Sequence, residues 1–143
     1  MNTKNQITVF IVEDNDVYAK SLQGFIKIRF PDIKIKIFTV GETCLTKLHL
    51  NPDIVIMDYF LNSNFGEAQN GLEIINHIKA QNPQTNIIVL SAQENYNVVL
   101  EAIKQYGCFY VQKDHKAFNK VMQIIKNFNY KNKSVFETGI QAF

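Results

Sequence analysis

The chain has 143 residues, 46% of them hydrophobic and 20% charged, with a formal net charge of +2. That length suits one domain around a single core, and the composition is that of an ordinary soluble globular protein. So small a charge gives no argument for binding nucleic acid or a membrane surface, no apolar run approaches the roughly 20 residues of a membrane span, and the opening MNTKNQ lacks the apolar centre of a signal peptide.

In chain order, Ile7 to Val12 (ITVFIV) is a short apolar run rich in β-branched residues and reads as a first strand. Asn15 can cap the helix that follows, and Pro31 stands just past its end. Ile33 to Ile37 (IKIKI) alternates apolar residues with lysine, so one face is less deeply buried. Lysines there also discourage edge-to-edge pairing, which makes this the edge strand. Gly41 to Leu50 is a second, weaker helix closed off by Pro52.

Asp53 to Met57 (DIVIM) is the third strand, and Leu72, Ile75 and Ile78 share one face of a third helix. Asn86 to Leu90 (NIIVL) is the fourth strand, with Val98, Val99, Ala102 and Ile103 marking a fourth helix. Cys108 to Val111 (CFYV) is the fifth strand, and Phe118, Val121, Ile125 and Phe128 mark a fifth helix with the strongest pattern. The domain is therefore expected over residues 1–130. Residues 131–143 are expected to form a tail with no output domain, unless the chain is one piece of a larger regulator, and the apolar Val135, Phe136, Ile140 and Phe143 of that tail either dock on the domain or another chain, or fray. Gly139 weakens a helical reading of this tail, and the lysines at 116, 120, 126, 131 and 133 read as a solvated basic face.

Continuous apolar runs fit strands covered on both faces, as in a parallel sheet. Five βα units then imply an α/β fold: a doubly wound five-stranded parallel sheet, helices on both faces. With Ile33–Ile37 at an edge the order is 2-1-3-4-5, which sets strands 1 and 3 side by side. Such sheets carry their sites beyond the carboxyl ends of the strands, near the switch point. There the sequence places Glu13 and Asp14 after strand 1, Asp58 after strand 3, Ser91 after strand 4 and Lys113 after strand 5. Each alone is an ordinary turn, cap or surface residue. Together, three converging carboxylates would repel unless they held a hard dication such as Mg²⁺, with Lys113 and Ser91 adding a cation and a hydroxyl donor. That set suits phosphoryl transfer, with a carboxylate as nucleophile.

The motifs VFIVEDN, DIVIMDYFL, IIVLSA and FYVQKD resemble the receiver domain of two-component response regulators, from about Ile7 to Phe128. The resemblance implies that Asp58 takes a phosphoryl group from a histidine kinase or phosphotransfer protein and that the chain signals rather than acting as an enzyme. It implies that Asp14, Asp58 and the backbone carbonyl of Phe60 ligate Mg²⁺, with Glu13 acting largely through a water. Lys113 would hold a phosphoryl oxygen. Ser91 would be the switch hydroxyl and Tyr110 the aromatic that swings inward after it. Phe60 and Gln93 match positions that set phosphate lifetime, and a Phe60 ring would screen the acyl phosphate from water. The expected readout is the face of the fourth helix, fifth strand and fifth helix. A homodimer through that face is compatible with the sequence, though no individual residue argues for it. The downstream target is left open, and a cytoplasmic location is the default.

The sequence departs from the family pattern in two further places. Asp114 follows Lys113 where the family usually has proline in a cis bond. The Lys113–Asp114 bond is then either trans with a shifted loop or cis under strain, and the place of Lys113 hangs on it. The loop Leu61–Gly71 (LNSNFGEAQNG) is longer than usual, and reads either as a lid or partner-specific contact near Asp58 or as a tolerated surface insertion. Three other classes fit less well. A haloacid-dehalogenase-like phosphatase needs a second Asp where Phe60 stands. An FMN binder would meet repulsion from Glu13-Asp14-Asn15-Asp16. A phosphorylation-independent scaffold does not need the complete acidic set. The two cysteines, Cys44 and Cys108, match no metal spacing and read as buried thiols, and His49, His77 and His115 share no spacing for a metal or phosphodonor.

Overall fold

A computed structural model describes residues 6–59, 71–92, 100 and 104–138, with side chains through residue 128. The strands are β1 (Thr8–Val12), β2 (Lys34–Phe38), β3 (Ile54–Asp58), β4 (Asn86–Ser91) and β5 (Phe109–Gln112). All pair in parallel, in the order β2-β1-β3-β4-β5, so the edge strand is the lysine-alternating one and β1 lies beside β3. The strands run up to one residue further toward their carboxyl ends than the apolar runs suggest. Ladder pairing, not hydropathy, sets the limit: Asp58 pairs with Leu90, and Ser91 with Gln112. Asp58 and Ser91 are thus the last residues of their strands and not the first of the loops.

The pleat divides each strand between two cores. Phe10, Val12, Val55, Met57, Ile87 and Val89 face a cluster completed by α2 (Gly41–Leu45) and α3 (Gly71–Gln81). Val9, Ile11, Ile54, Ile56, Ile88 and Leu90 face a second cluster, with α1 (Asp16–Arg29) and the C-terminal helix (Ala117–Thr138). Full burial on both sides explains why these strands read as unbroken apolar runs.

The helices follow local rules. Asn15 caps α1, its Oδ1 accepting from the Tyr18 N–H at 3.0 Å, and the helix stops before Pro31. The weak second helix is α2 alone, followed by a 3₁₀ turn over Leu48–Leu50 that ends on Asn51 in the left-handed region (φ 55°). On α3 the buried face is Ile74, Ile75 and Ile78, with Leu72 only half-buried. The C-terminal helix buries Ala117, Val121, Met122 and Ile125, while Phe118 and Phe128 pack at its margin. It continues to Thr138, so the boundary expected at residue 130 falls inside a helix. Most of the fourth predicted helix (Val98, Val99, Ala102, Ile103), most of the Leu61–Gly71 loop, and Ile140 and Phe143 lie outside the described residues. Among the described residues, no helix is long and apolar enough to cross a membrane.

Candidate functional site: an acidic cluster bridged by Lys113

Glu13, Asp14 and Asp58 meet at the carboxyl rim of the sheet, offering carboxylate oxygens that lie within 4.8 Å of one another. β1 and β3 are neighbours, so the turn after one and the end of the other must meet. Glu13 continues the inward row of Val9 and Ile11 and is buried, whereas Asp14, one residue on, is exposed. Backbone bonds fix the rim: Glu13 N–H donates to Phe38 O (2.9 Å), Tyr59 N–H to Leu90 O (2.9 Å) and Lys113 N–H to Ser91 O (2.9 Å).

The Lys113 ammonium lies 3.1 Å from Asp58 Oδ2 and 2.5 Å from Glu13 Oε1, bridging two buried carboxylates. Toward Asp58 the geometry is that of a hydrogen bond. Toward Glu13 Oε1 it is a close ion pair. The other oxygen, Oε2, accepts from the Asn15 N–H at 3.1 Å. Burial pushes the Glu13 carboxyl above its ordinary 4.5, against the pull of Lys113 and the Asn15 N–H, and the Asp58 charge adds to the rise. Burial lowers Lys113, but Glu13 and Asp58 outweigh it and hold the ammonium above its ordinary 10.5. Three carboxylates gathered around a single ammonium leave an excess of negative charge that an oxygen-seeking dication fits. Glu13, Asp14 and Asp58 are the residues that could hold one.

The Lys113–Asp114 bond is trans, as one of the two sequence alternatives had it, and Lys113 still reaches the carboxylates. Aspartate takes up the geometry that proline would forbid. Its N–H donates to Gln112 O (2.8 Å), and its Oδ1 accepts from the Lys116 N–H (2.8 Å) at the start of the C-terminal helix.

Ser91 is fully buried and continues the Ile87–Val89 row, on the opposite face of the sheet from the row Ile54, Ile56, Asp58. Tyr110, paired in register with Val89, is half-buried against the same cluster. Phe60 and Gln93 lie outside the described residues. Cys44 and Cys108 are buried free thiols, and His49, His77 and His115 are exposed.

The sequence reading missed two residues. Tyr18, in the first turn of α1, lays its ring against Lys113, with Nζ 4.4 Å from the centroid. Its position three residues past the cap of a helix that starts at the site was the available signal. Gly71 opens α3 so close to Tyr59 that an added Cβ would sit 2.6 Å from the Tyr59 carbonyl oxygen. Nothing in a lone glycine between a polar loop and a helix announces that approach.

The family model of the response regulator receiver domain matches residues 9–126, and the chain belongs to that family. The chain is 23% identical over 135 residues to response regulator protein VraR of Staphylococcus saprophyticus, a match covering 94% of this chain and 61% of that protein. It is 27% identical over 108 residues to a cyclic di-GMP phosphodiesterase of Thermotoga maritima, covering 75% of this chain and 27% of the relative. It therefore spans less than two thirds of either curated relative. Among solved structures, a CheY-like receiver domain protein from Methanospirillum hungatei superimposes with a TM-score of 0.74 at 14% identity, covering 91% of this chain and 98% of that one. At that identity the likeness establishes the five-stranded fold.

Proposed function

We propose that this receiver domain is the phosphoacceptor of a two-component phosphorelay, with Asp58 as the nucleophile. A carboxylate oxygen of Asp58 attacks the phosphorus of a phosphohistidine on a histidine kinase or phosphotransfer protein. The P–N bond breaks, its electron pair stays on the imidazole, which takes a proton, and an acyl phosphate forms. Mg²⁺, held by Asp14, Asp58 and the Phe60 carbonyl with Glu13 acting largely through water, would supply charge neutralisation on the carboxylates and phosphoryl oxygens. Lys113 takes one phosphoryl oxygen. The Ser91 hydroxyl donates to another, and Tyr110 fills the space that Ser91 leaves. Phe60 and Gln93 set how long the phosphate survives, with the Phe60 ring excluding water.

The observation that carries this reading is the Lys113 ammonium joining Asp58 to Glu13 inside the acidic cluster. It also weighs against a phosphorylation-independent scaffold, because the trans Lys113–Asp114 bond has not displaced the lysine. The chain signals through protein contact rather than by turnover, in the cytoplasm, with the face of β5 and its flanking helices as the readout and as the surface for any homodimer. The test is incubation with acetyl phosphate and Mg²⁺, read by intact mass. One phosphoryl adduct is expected on the wild type and none on Asp58→Asn. No adduct, or one that persists in Asp58→Asn, removes the reading.

A further inference from the structure

We propose that Tyr18 is a positioning residue whose ring holds the Lys113 ammonium over the phosphoacceptor site; this rests on the reading of Asp58 just given. An ammonium has three donors to place. Here one approaches Asp58 at 3.1 Å, Glu13 lies at 2.5 Å, and the Tyr18 ring stands on another side with its centroid at 4.4 Å. That is well inside the range of cation–π attraction, which strengthens where water is excluded. The Lys113 side chain retains only 15% exposure.

The ring is itself held. The Tyr18 N–H is fixed by the Asn15 cap at 3.0 Å. The ring meets Phe118 edge-on at 5.3 Å and 73°, and Phe118 leans on Phe25 at 5.4 Å. Through this stack α1 and the C-terminal helix together fix where the ring stands, and the ring fixes where the ammonium stands. The Lys113 backbone is tied to the sheet through its N–H to Ser91 O, and the exposed residues Asp114 to Lys116 that follow leave the Tyr18 ring as an apolar wall beside the ammonium.

The chemistry of the guide is the telling part. A third close carboxylate would also hold the lysine, but would neutralise it. An aromatic face attracts the ammonium without adding a further negative charge beside Glu13 and Asp58, so it takes nothing more from the charge offered to oxygens placed on Asp58. The Tyr18 hydroxyl plays no part in this: it is buried and has no hydrogen-bond partner among the described residues. The ring is therefore sufficient, and phenylalanine should replace it without loss.

The test compares Tyr18→Phe and Tyr18→Leu, each in wild-type and Lys113→Ala backgrounds, for the rate of Asp58 labelling by acetyl phosphate. Tyr18→Phe is expected within twofold of wild type, and Tyr18→Leu about fivefold slower, as a contact of ordinary cation–π strength implies. In the Lys113→Ala background Tyr18→Leu should add nothing, since the ring acts through the lysine. An effect of equal size in both backgrounds, or none in either, overturns the proposal. A second readout needs no phosphodonor: the ring current should displace the Lys113 Hε proton resonances upfield in wild type and Tyr18→Phe, and the displacement should vanish in Tyr18→Leu. Unchanged resonances across the three proteins overturn the contact itself. A wild type that keeps the ring-current signature but takes no phosphate would instead overturn the phosphoacceptor reading.

Discussion

Replacing Lys113 with methionine removes the ammonium lying 2.5 Å from Glu13 and 3.1 Å from Asp58, while keeping most of the apolar stem. At an effective dielectric constant near 20, each lost contact amounts to about 5–7 kcal/mol before the desolvation of the ammonium is subtracted. The fold does not lose that much, because Glu13 can escape by taking a proton. Burial already holds its carboxyl above the ordinary 4.5. An acid whose folded pKa is raised binds its proton more tightly folded than unfolded, so its ionisation weakens the fold progressively as pH rises above the ordinary value. Keeping the proton at pH 7 costs about 3.4 kcal/mol, at 1.36 kcal/mol per pH unit above 4.5. That figure bounds the loss arising at Glu13; at pH 6 the bound falls to about 2 kcal/mol, and near pH 4.5 it vanishes. Urea unfolding in EDTA, followed by far-ultraviolet circular dichroism, should show Lys113→Met losing less than these limits, since wild-type Glu13 already bears part of the cost, and losing more at pH 7 than at pH 6. Added Mg²⁺ should restore part of the difference by binding the folded state. A destabilisation that is independent of pH, or that grows on acidification, would refute the account of Glu13 as the partner that escapes by taking a proton.

Gly71→Ala should lower stability by about 1–3 kcal/mol, because the new Cβ meets backbone at Tyr59 O (2.6 Å) and ring carbon at 2.8 Å. Differential scanning calorimetry would register this as a fall of roughly 3–10 °C in Tm. Asp114→Pro should destabilise by about 1–3 kcal/mol, since it removes both the N–H donated to Gln112 O and the carboxylate accepting from Lys116 N–H. It should also slow Asp58 labelling by shifting Lys113, and a variant as stable and as fast as wild type would count against that account of the loop. Burial pushes the Cys44 thiol up to about 12 and the Cys108 thiol to about 11 from an ordinary 9.0. Both should resist a thiol reagent at pH 8 until denaturant is added. Raised folded values mean that their contribution to stability is intact below pH 9.0 and is lost as pH climbs toward 11, which urea midpoints across that range would follow.

The sheet was legible because nearly every strand is apolar on both faces, and because the one strand that alternates with lysine belongs at the edge, where β2 is found. The rim residues were legible because the strand order makes the ends of β1, β3, β4 and β5 adjacent. Less legible were features set by contacts between elements. The α3 pattern named Leu72, Ile75 and Ile78, all of which pack on this core, Leu72 only half-buried, but it did not name Ile74, which is fully buried beside them. The region Gly41–Leu50 split into a short helix and a 3₁₀ turn, as its weak pattern allows. Tyr18 was not singled out in the sequence, where its place three residues past the Asn15 cap was the one signal. Its role depends on Lys113, which is distant in sequence, and on Phe118 across a helix pair.

Pleating lets one row of strand ends serve two layers. Asp58 ends the row that begins Ile54, Ile56, and together with Glu13 and Lys113 it belongs to the side covered by α1 and the C-terminal helix. Ser91 ends the row Ile87, Val89, and with Tyr110 belongs to the side covered by α2 and α3. Asp58 and Ser91 nonetheless sit on adjacent strands, displaced by one residue along the ladder. A charge added at Asp58 is therefore met on its own face by Lys113, already guided there by Tyr18, and can draw on the opposite face only through a side chain at the very rim. Ser91 is the buried hydroxyl at that rim, which is why the proposed switch must pass through it: an apolar residue further back on β4 would be sealed in one core or the other, with no polar atom to offer.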